Sequence, residues 1–241
     1  MQLVTGIEAI DLGLYLVKHQ TLIFSDFHLG FEESLNRQGV FVPRMHYKDI
    51  VARLDLIFLA LKEQKKIVKT VVLTGDLKHA FGSIQRQEWK DILNIVDYFH
   101  KHAPELVLIK GNHDAVLAPV ANKKGITLVS NYRISDILVI HGDVLPAELD
   151  GVKTIIMGHE HPAISLRAAG RIERYKCYIV GTYKRRTLIV QPSFNLLVEG
   201  SDLLQERLLS PLLTDVSSFN TFIVDEKQKE VLAFGKVKGL K

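Results

Sequence analysis

The chain has 241 residues, 47% of them apolar and 24% charged, with a formal net charge of +4 and a pI near 9.0. That length can bury a substantial core, and the composition excludes a disordered or low-complexity chain. A single cysteine, Cys177, excludes an internal disulfide and a thiolate metal cluster.

No apolar run reaches the roughly 18 residues a membrane span needs. The N-terminus lacks the charged-then-apolar pattern of a signal peptide, so the expected location is cytoplasmic. The positive charge is compatible with a polyanionic partner.

Leu12 to Val17 and Thr21 to Ser25 read as two strands turning at Lys18-His19-Gln20. The second runs into Asp26-Phe27-His28-Leu29-Gly30, where strand alternation puts Asp26 and His28 on one side and Phe27 on the other. A loop or short helix with Glu32, Glu33 and Arg37 follows. Apolar residues at helical spacing predict a helix from His46 to about Lys65. The strand Thr70 to Leu73 leads into Gly75-Asp76-Leu77-Lys78-His79. A second helix is predicted from about Gln85 to His102, then the strand Leu106 to Ile109 ending in Gly111-Asn112-His113-Asp114. A helical segment near Ala115 to Lys124 precedes a short strand, Ile126 to Val129. This helix–strand alternation predicts parallel pairing with right-handed crossovers.

Beyond residue 130 the pattern changes to short strands with no predicted helix. Tyr132 to Ile134 and Ile137 to Ile140 come first, the latter ending in His141-Gly142-Asp143. Thr154 to Met157 ends in Gly158-His159-Glu160-His161. Ile164 to Ala168, Glu173 to Val180 and Thr187 to Val190 follow, and Phe222 to Val224 with Val231 to Val237 predict a hairpin closing a sheet edge. The expected architecture is mixed α/β: two facing mixed sheets flanked by helices in a four-layer αββα sandwich. It is expected as a single domain over 1–241, with the motif-bearing core over about 12–200 and the hairpin over about 219–238.

Five strand ends thus carry ligand-type side chains, which are costly to bury unpaired. Hard oxygen donors mixed with imidazoles suit Mn²⁺, Fe, Zn²⁺ or Mg²⁺ better than a thiol-loving ion. Asp26, His28, Asp76, Asn112, His141, His159 and His161 are seven residues, more than one ion requires. They fit two ions roughly 3.5–4 Å apart with a shared carboxylate, an arrangement used for in-line displacement at phosphorus. His113 offers a proton that can move near neutral pH, and Asp114 an acceptor able to fix a histidine tautomer. His79 reads equally as a pocket residue or a solvated loop residue. His19, His46, His100 and His102 read as surface, and Glu160 should point away from the metals.

Taken in order, Asp26-Phe-His28, Gly75-Asp76, Gly111-Asn112-His113-Asp114, His141-Gly142-Asp143 and Gly158-His159-Glu-His161 resemble the calcineurin-like metallophosphoesterases, over about residues 22 to 162. The resemblance implies that Asp26, His28 and His161 bind one ion and Asn112, His141 and His159 the other, with Asp76 bridging. It implies that a hydroxide shared by the ions attacks in line. His113 then contacts the phosphoryl group and protonates the leaving oxygen, with Asp114 orienting it. Manganese is the first expectation among the metals.

A narrower resemblance rests on the run from Asp26 to Glu33, the Arg37…Gly39-Val-Phe-Val-Pro43 stretch and Gly75-Asp76-Leu-Lys78-His79. It points to small archaeal and bacterial phosphoesterases related to double-strand-break repair nucleases and to DNA-ligase-associated phosphoesterases. The chain is too short for the repair nucleases' capping domain.

Arg167, Arg171, Arg174, Lys176, Lys184, Arg185 and Arg186 stand against one acid, Glu173. They read either as a guarded strand edge or as a flank that holds a phosphate backbone of DNA or RNA. The expected activity is phosphodiester hydrolysis on nucleic acid or nucleotides. The alternatives are a small-molecule phosphomonoesterase, a cyclic-nucleotide phosphodiesterase and, from another class, a non-catalytic binding scaffold.

Overall fold

A computed structural model describes residues 1–80, 86–114, 117–168 and 170–240. The first sheet runs in chain order, β1 (Gln2–Val4), β2 (Ile7–Ile10), β3 (Gly13–Leu16), β4 (Thr21–Phe24), β5 (Thr70–Thr74), β6 (Glu105–Ile109) and β7 (Thr127–Val129). Its first four strands pair antiparallel, and β4 to β7 pair parallel. The parallel strands need crossovers, supplied by α1 (Phe31–Arg37), α2 (His46–Glu63), α3 (Arg86–His102) and α4 (Ala118–Lys124). The starts expected for the last two helices, near Gln85 and Ala115, lie outside the described residues.

The second sheet contains β8 (Asn131–Ile134), β9 (Ile137–Ile140), β10 (Thr154–Met157), β11 (Pro162–Ala168), β12 (Arg171–Tyr183), β13 (Arg186–Val190) and β14 (Ser201–Asp202). Its order is β14-β11-β12-β13-β10-β9-β8. A terminal hairpin, β15 (Asn220–Asp225) with β16 (Glu230–Lys236), lies along β12.

Period-2 alternation sorts the second sheet's two faces. Val139, Ile156, Tyr178 and Ile189 join the core shared with the first sheet, while Leu138, Ile155, Met157, Leu188 and Val190 face outward. That outer face is covered by the irregular segment 203–219, through Leu203, Leu212, Leu213, Val216 and Phe219. Among the described residues the α-helices all precede Gly125. The two sheets meet around Phe194, which stacks on Phe27 at 4.8 Å and meets Phe24 edge-on at 5.2 Å.

Because β4, β5 and β6 are parallel, and β9 and β10 are parallel to one another, each set of following loops opens at one end of its sheet. α/β folds place ligands at such carboxyl ends.

Candidate metal centre

The five loops are aimed by backbone conformation. β4 ends at Phe24, so strand alternation does not carry Asp26 and His28 to one side, as the sequence suggested. Both residues are left-handed, with φ of 52° and 48°, and so are Asp76 at 46°, His159 at 64° and His161 at 51°. Left-handed backbone costs a non-glycine residue on the order of 1–2 kcal/mol, and such strain clusters at functional sites. Between the paired ligands the chain drops inward: Phe27 enters the core, and buried Glu160 accepts the Leu209 and Ser210 NH groups at 2.9 Å each.

Main-chain bonds then tie loop to loop. The His28 NH donates to the Asp76 carbonyl at 2.9 Å and the Gly158 NH to the His141 carbonyl at 2.9 Å. Two glycines allow this approach. A Cβ on Gly111 would lie 2.2 Å from Asp76 Oδ1, and one on Gly158 would lie 1.7 Å from Ser25 Oγ.

All seven residues expected as ligands converge. Asp26, His28 and His161 present ligand atoms within 4.8 Å of one another, and so do Asp76, His141 and His159. Asn112 joins the second set, its Oδ1 2.9 Å from His141 Nε2. Asp76 Oδ2 lies between the sets, 3.8 Å from His28 Nε2 and 3.5 Å from His141 Nε2.

The donor chemistry fits cations. Asp26 Oδ1 is buried without a hydrogen bond, 3.6 Å from His141 Nδ1 and 3.5 Å from His161 Nε2. His28 Nε2 and His161 Nε2 face each other at 3.4 Å. His141 Nδ1 meets the Thr74 carbonyl at 2.9 Å, so that nitrogen carries the proton and Nε2 is left free to ligate. A histidine that donates its second ring NH to a main-chain carbonyl is the usual support for a metal ligand.

At Asp26, His28 and His159 the charge states point the same way. At His141, by contrast, burial is outweighed by the Asp26 and Asp76 carboxylates, which raise the ring, and burial raises the Asp76 carboxyl. Burial alone would raise the Asp26 carboxyl, but His161, His141 and His28 outweigh it and hold it below the ordinary range. Burial, then the neighbouring imidazoles, push the His28 ring down, and burial with His141 pushes His159 down to about 4. Neutral imidazoles are the ligating form.

His113 stands at the shared edge, its Nε2 3.8 Å from Asp76 Oδ2 and its NH donating to Asp76 Oδ1 at 2.9 Å. Its Nδ1 meets the main-chain carbonyl of His79 at 2.5 Å. The Asp114 carboxylate accepts the NH groups of Gly111, Leu77 and Lys78 at 3.1–3.3 Å. It clamps the Asn112-His113 turn to the Asp76 loop, and burial, with Asp76 nearby, raises it to about 6. The His79 carbonyl was not legible in sequence, because any residue type supplies one. The His79 ring itself is half-buried, 5.5 Å from the His28 ring and 5.7 Å from that of His113.

One other expectation is corrected. His46 is buried, its Nδ1 3.3 Å from Glu32 Oε2 and its Nε2 accepting the Leu196 NH at 3.3 Å; the first turn of α2 packs beneath α1 instead of facing solvent. The basic stretch 167–186 is not one patch. Lys176 is buried, Arg174 bonds the Gly200 carbonyl, and Arg186 bonds the carbonyls of Val152 and Leu149. Arg171 and Arg185 flank opposite ends of the 13-residue β12, up to roughly 40 Å of extended chain apart.

The calcineurin-like phosphoesterase family model matches residues 19–163, more than half of the chain and all five loops. The chain belongs to the calcineurin-like phosphoesterases, a family of hydrolases that use divalent metals and act on phosphate esters. Among solved structures it is similar to the Pseudomonas putida nuclease MPE at 19% identity, over 93% of this chain and 92% of that one, with a TM-score of 0.65, which shows a shared fold. YfcE, a phosphoesterase from E. coli, aligns at 12% identity over 90% and 98% of the two chains with a TM-score of 0.40. A Vps29 variant from Entamoeba histolytica aligns at 13% identity over 89% and 99% with a TM-score of 0.33. Agreement at the last two scores is too loose to bear on fold. No curated protein matches the chain. No helix among the described residues is long and apolar enough to cross a membrane.

Proposed function

We propose that the chain is a divalent-metal-dependent phosphodiesterase acting on nucleic acid or nucleotides, a single cytoplasmic domain. The observation that carries this reading is the position of Asp76 Oδ2, within 3.8 Å of His28, His141 and His113. One carboxylate oxygen thus touches both ligand sets and the candidate proton donor. Asp26, His28 and His161 would hold one ion and Asn112, His141 and His159 the other, with Asp76 shared. Manganese is the expected metal, with iron, zinc and magnesium as alternatives. Divalent cations supply water activated near neutral pH and positive charge opposite the phosphoryl oxygens.

The chain's own groups do the rest. The His79 carbonyl keeps hydrogen on His113 Nδ1, so Nε2 is the nitrogen turned toward the site, and in the imidazolium form it gives its proton to the leaving oxygen and returns to the neutral ring. Asp114 keeps that ring in place through the backbone of its turn. The nuclease named among the similar folds supports the diester preference.

The test compares turnover of bis-p-nitrophenyl phosphate and p-nitrophenyl phosphate with added Mn²⁺. The diester should turn over faster. Faster monoester turnover overturns the diester preference, and turnover of neither overturns the hydrolytic reading.

A further inference from the structure

A second chemically distinct surface opens beside the site. α1, α3 and the loop between α1 and α2 enclose a groove of about 700 Å³ that includes Arg37, Arg44, Arg86 and Lys90, with Trp89 and one carboxylate, Glu33. Glu33 pairs with Arg44 at 2.6 Å and lies 3.5 Å from Arg37, so positive charge remains in excess.

The groove is coupled to the metal centre. A smaller cavity, lined by Gly30, Ala80 and Glu88 among others, shares Glu33 and Arg37 with it. Gly30 follows His28 by two residues, and Ala80 follows His79. Glu88 Oε1 accepts the NH groups of both His79 and Ala80 at 3.0 Å, which bolts the first turn of α3 to the loop that holds His113. The helix bearing Arg86, Trp89 and Lys90 is therefore fixed in register with the proposed proton donor.

The loop that carries Arg44 also carries Phe41, which is 90% exposed, the most exposed large apolar side chain among the described residues. An aromatic side chain held in water three residues before Arg44, on the loop that edges a cationic groove, suits a ligand with both anionic and flat apolar parts. A single-stranded polynucleotide has both, because its phosphates meet cations while its unpaired bases stack on aromatic rings. A duplex hides its base faces and leaves Phe41 without a role, while half-buried Trp89, which also packs on the core, offers bases only its groove-facing part.

We propose that this groove holds single-stranded nucleic acid on one side of the scissile phosphate, with phosphates against Arg44, Arg86 and Lys90 and bases against Trp89 and Phe41. This rests on the nucleic-acid reading above and narrows it to strands that extend several nucleotides beyond the cleaved bond.

The test measures fluorescence anisotropy of a labelled phosphorothioate oligothymidylate of about twelve nucleotides, a length within single-strand site sizes, on the Mn²⁺-loaded protein across NaCl concentrations. The double variant Arg86→Glu/Lys90→Glu should bind about 10-fold or more weakly, with a salt slope reduced by about 1.4, since each single-strand phosphate contact contributes about 0.7. Phe41→Ala, at a side chain too exposed to support folding, should weaken binding about 5-fold or more with the slope unchanged. Lys184→Glu/Arg185→Glu carries the same charge change at the far end of β12 and should shift affinity less than about 2-fold. A duplex of the same length should compete poorly.

The proposal is overturned if Arg86→Glu/Lys90→Glu binds like the parent, if the Lys184/Arg185 variant loses as much, or if duplex competes equally. The two readings fail separately. A protein inert toward bis-p-nitrophenyl phosphate that still loses oligonucleotide affinity in Arg86→Glu/Lys90→Glu refutes hydrolysis and keeps the groove. An active protein with unaltered binding in that variant refutes the groove alone.

Discussion

The ring of His113 is held by the backbone of His79: Nδ1 faces that carbonyl at 2.5 Å, and a carbonyl can only accept. Nδ1 therefore bears hydrogen in either charge state, and only Nε2 can gain or lose a proton. A group that donates a proton to a leaving oxygen matters most when the leaving group is a poor one. His113→Ala should lower kcat on a dinucleotide by about 10²–10⁴-fold. On bis-p-nitrophenyl phosphate, whose nitrophenolate leaves without protonation, the loss should be under about 10-fold. Equal losses on both substrates would assign His113 to binding instead.

The close approach at Gly111 gives a second prediction. A methyl group there would stand 2.2 Å from Asp76 Oδ1 and 2.4 Å from the Asp76 nitrogen, both parts of a rigid loop. Gly111→Ala must displace the shared carboxylate, and a shift of about 1 Å at a reacting centre can cost about 100-fold in rate. Global stability should fall by only about 1–3 kcal/mol, the usual cost of overpacking. Metal content by mass spectrometry should drop below that of the parent, while Gly239→Ala, with open space around it, should change neither quantity. Full metal occupancy and activity in Gly111→Ala would show that the two loops are not pressed together.

Much of this was legible in the sequence, for physical reasons. Buried parallel strands such as Val71 to Leu73 and Leu106 to Ile109 are continuous apolar runs, and a polar cluster just after each is hard to explain by packing. The opening strands Gln2–Val4 and Ile7–Ile10 were not read, because three or four residues give too little periodicity. The left-handed backbone at Asp26, His28, Asp76, His159 and His161 left only a weak trace in residue type, since Asp and His are enriched there but mostly adopt other conformations, so convergence was expected for the wrong geometric reason. The basic stretch stayed open between two readings because proximity in sequence is not proximity along a 13-residue strand. The groove on α1 and α3 was invisible for the converse reason: its cations come from segments more than 40 residues apart, from Arg37 to Lys90.

Arg53 on α2 and Asp11, beside β2, form a buried pair with two parallel hydrogen bonds, Nε to Oδ2 at 2.8 Å and Nη2 to Oδ1 at 2.7 Å. Both side chains are about 5% exposed or less, so neither charge has water to fall back on. The Asp11 carbonyl also accepts the Tyr178 hydroxyl at 2.9 Å, which links this helix and the first sheet to the second. Removing one partner leaves the other charge buried, at a cost of about 3–5 kcal/mol. Urea denaturation of Arg53→Ala should show a loss in that range. The double variant Asp11→Asn/Arg53→Met should lose less than Arg53→Ala alone, and a larger loss would mean the pair attracts more strongly than its burial costs.

Lys176 supplies a pH dependence whose sign follows from its surroundings. Its Nζ is buried and donates to the Ser193 carbonyl at 2.9 Å, the Ser193 hydroxyl at 2.8 Å and the Asn195 carbonyl at 2.7 Å, with no carboxylate among these partners. Burial pushes its pKa from the ordinary 10.5 down to about 7. In the unfolded chain the amine regains its ordinary value, so between about pH 7 and pH 10.5 the unfolded state binds more protons than the folded one. Stability attributable to this group must therefore rise with pH across that window, by at most about 1.4 kcal/mol per unit, and level off below it. The measurement is the unfolding free energy of the parent minus that of Lys176→Met at several pH values. The variant loses the hydrogen bonds but adds no titrating group, so their loss enters as a constant offset and only the slope reports the amine. A difference that climbs from pH 7 to pH 9.5 is expected. A flat difference would mean that the ammonium stays charged inside the fold, with its three oxygen partners fully replacing water.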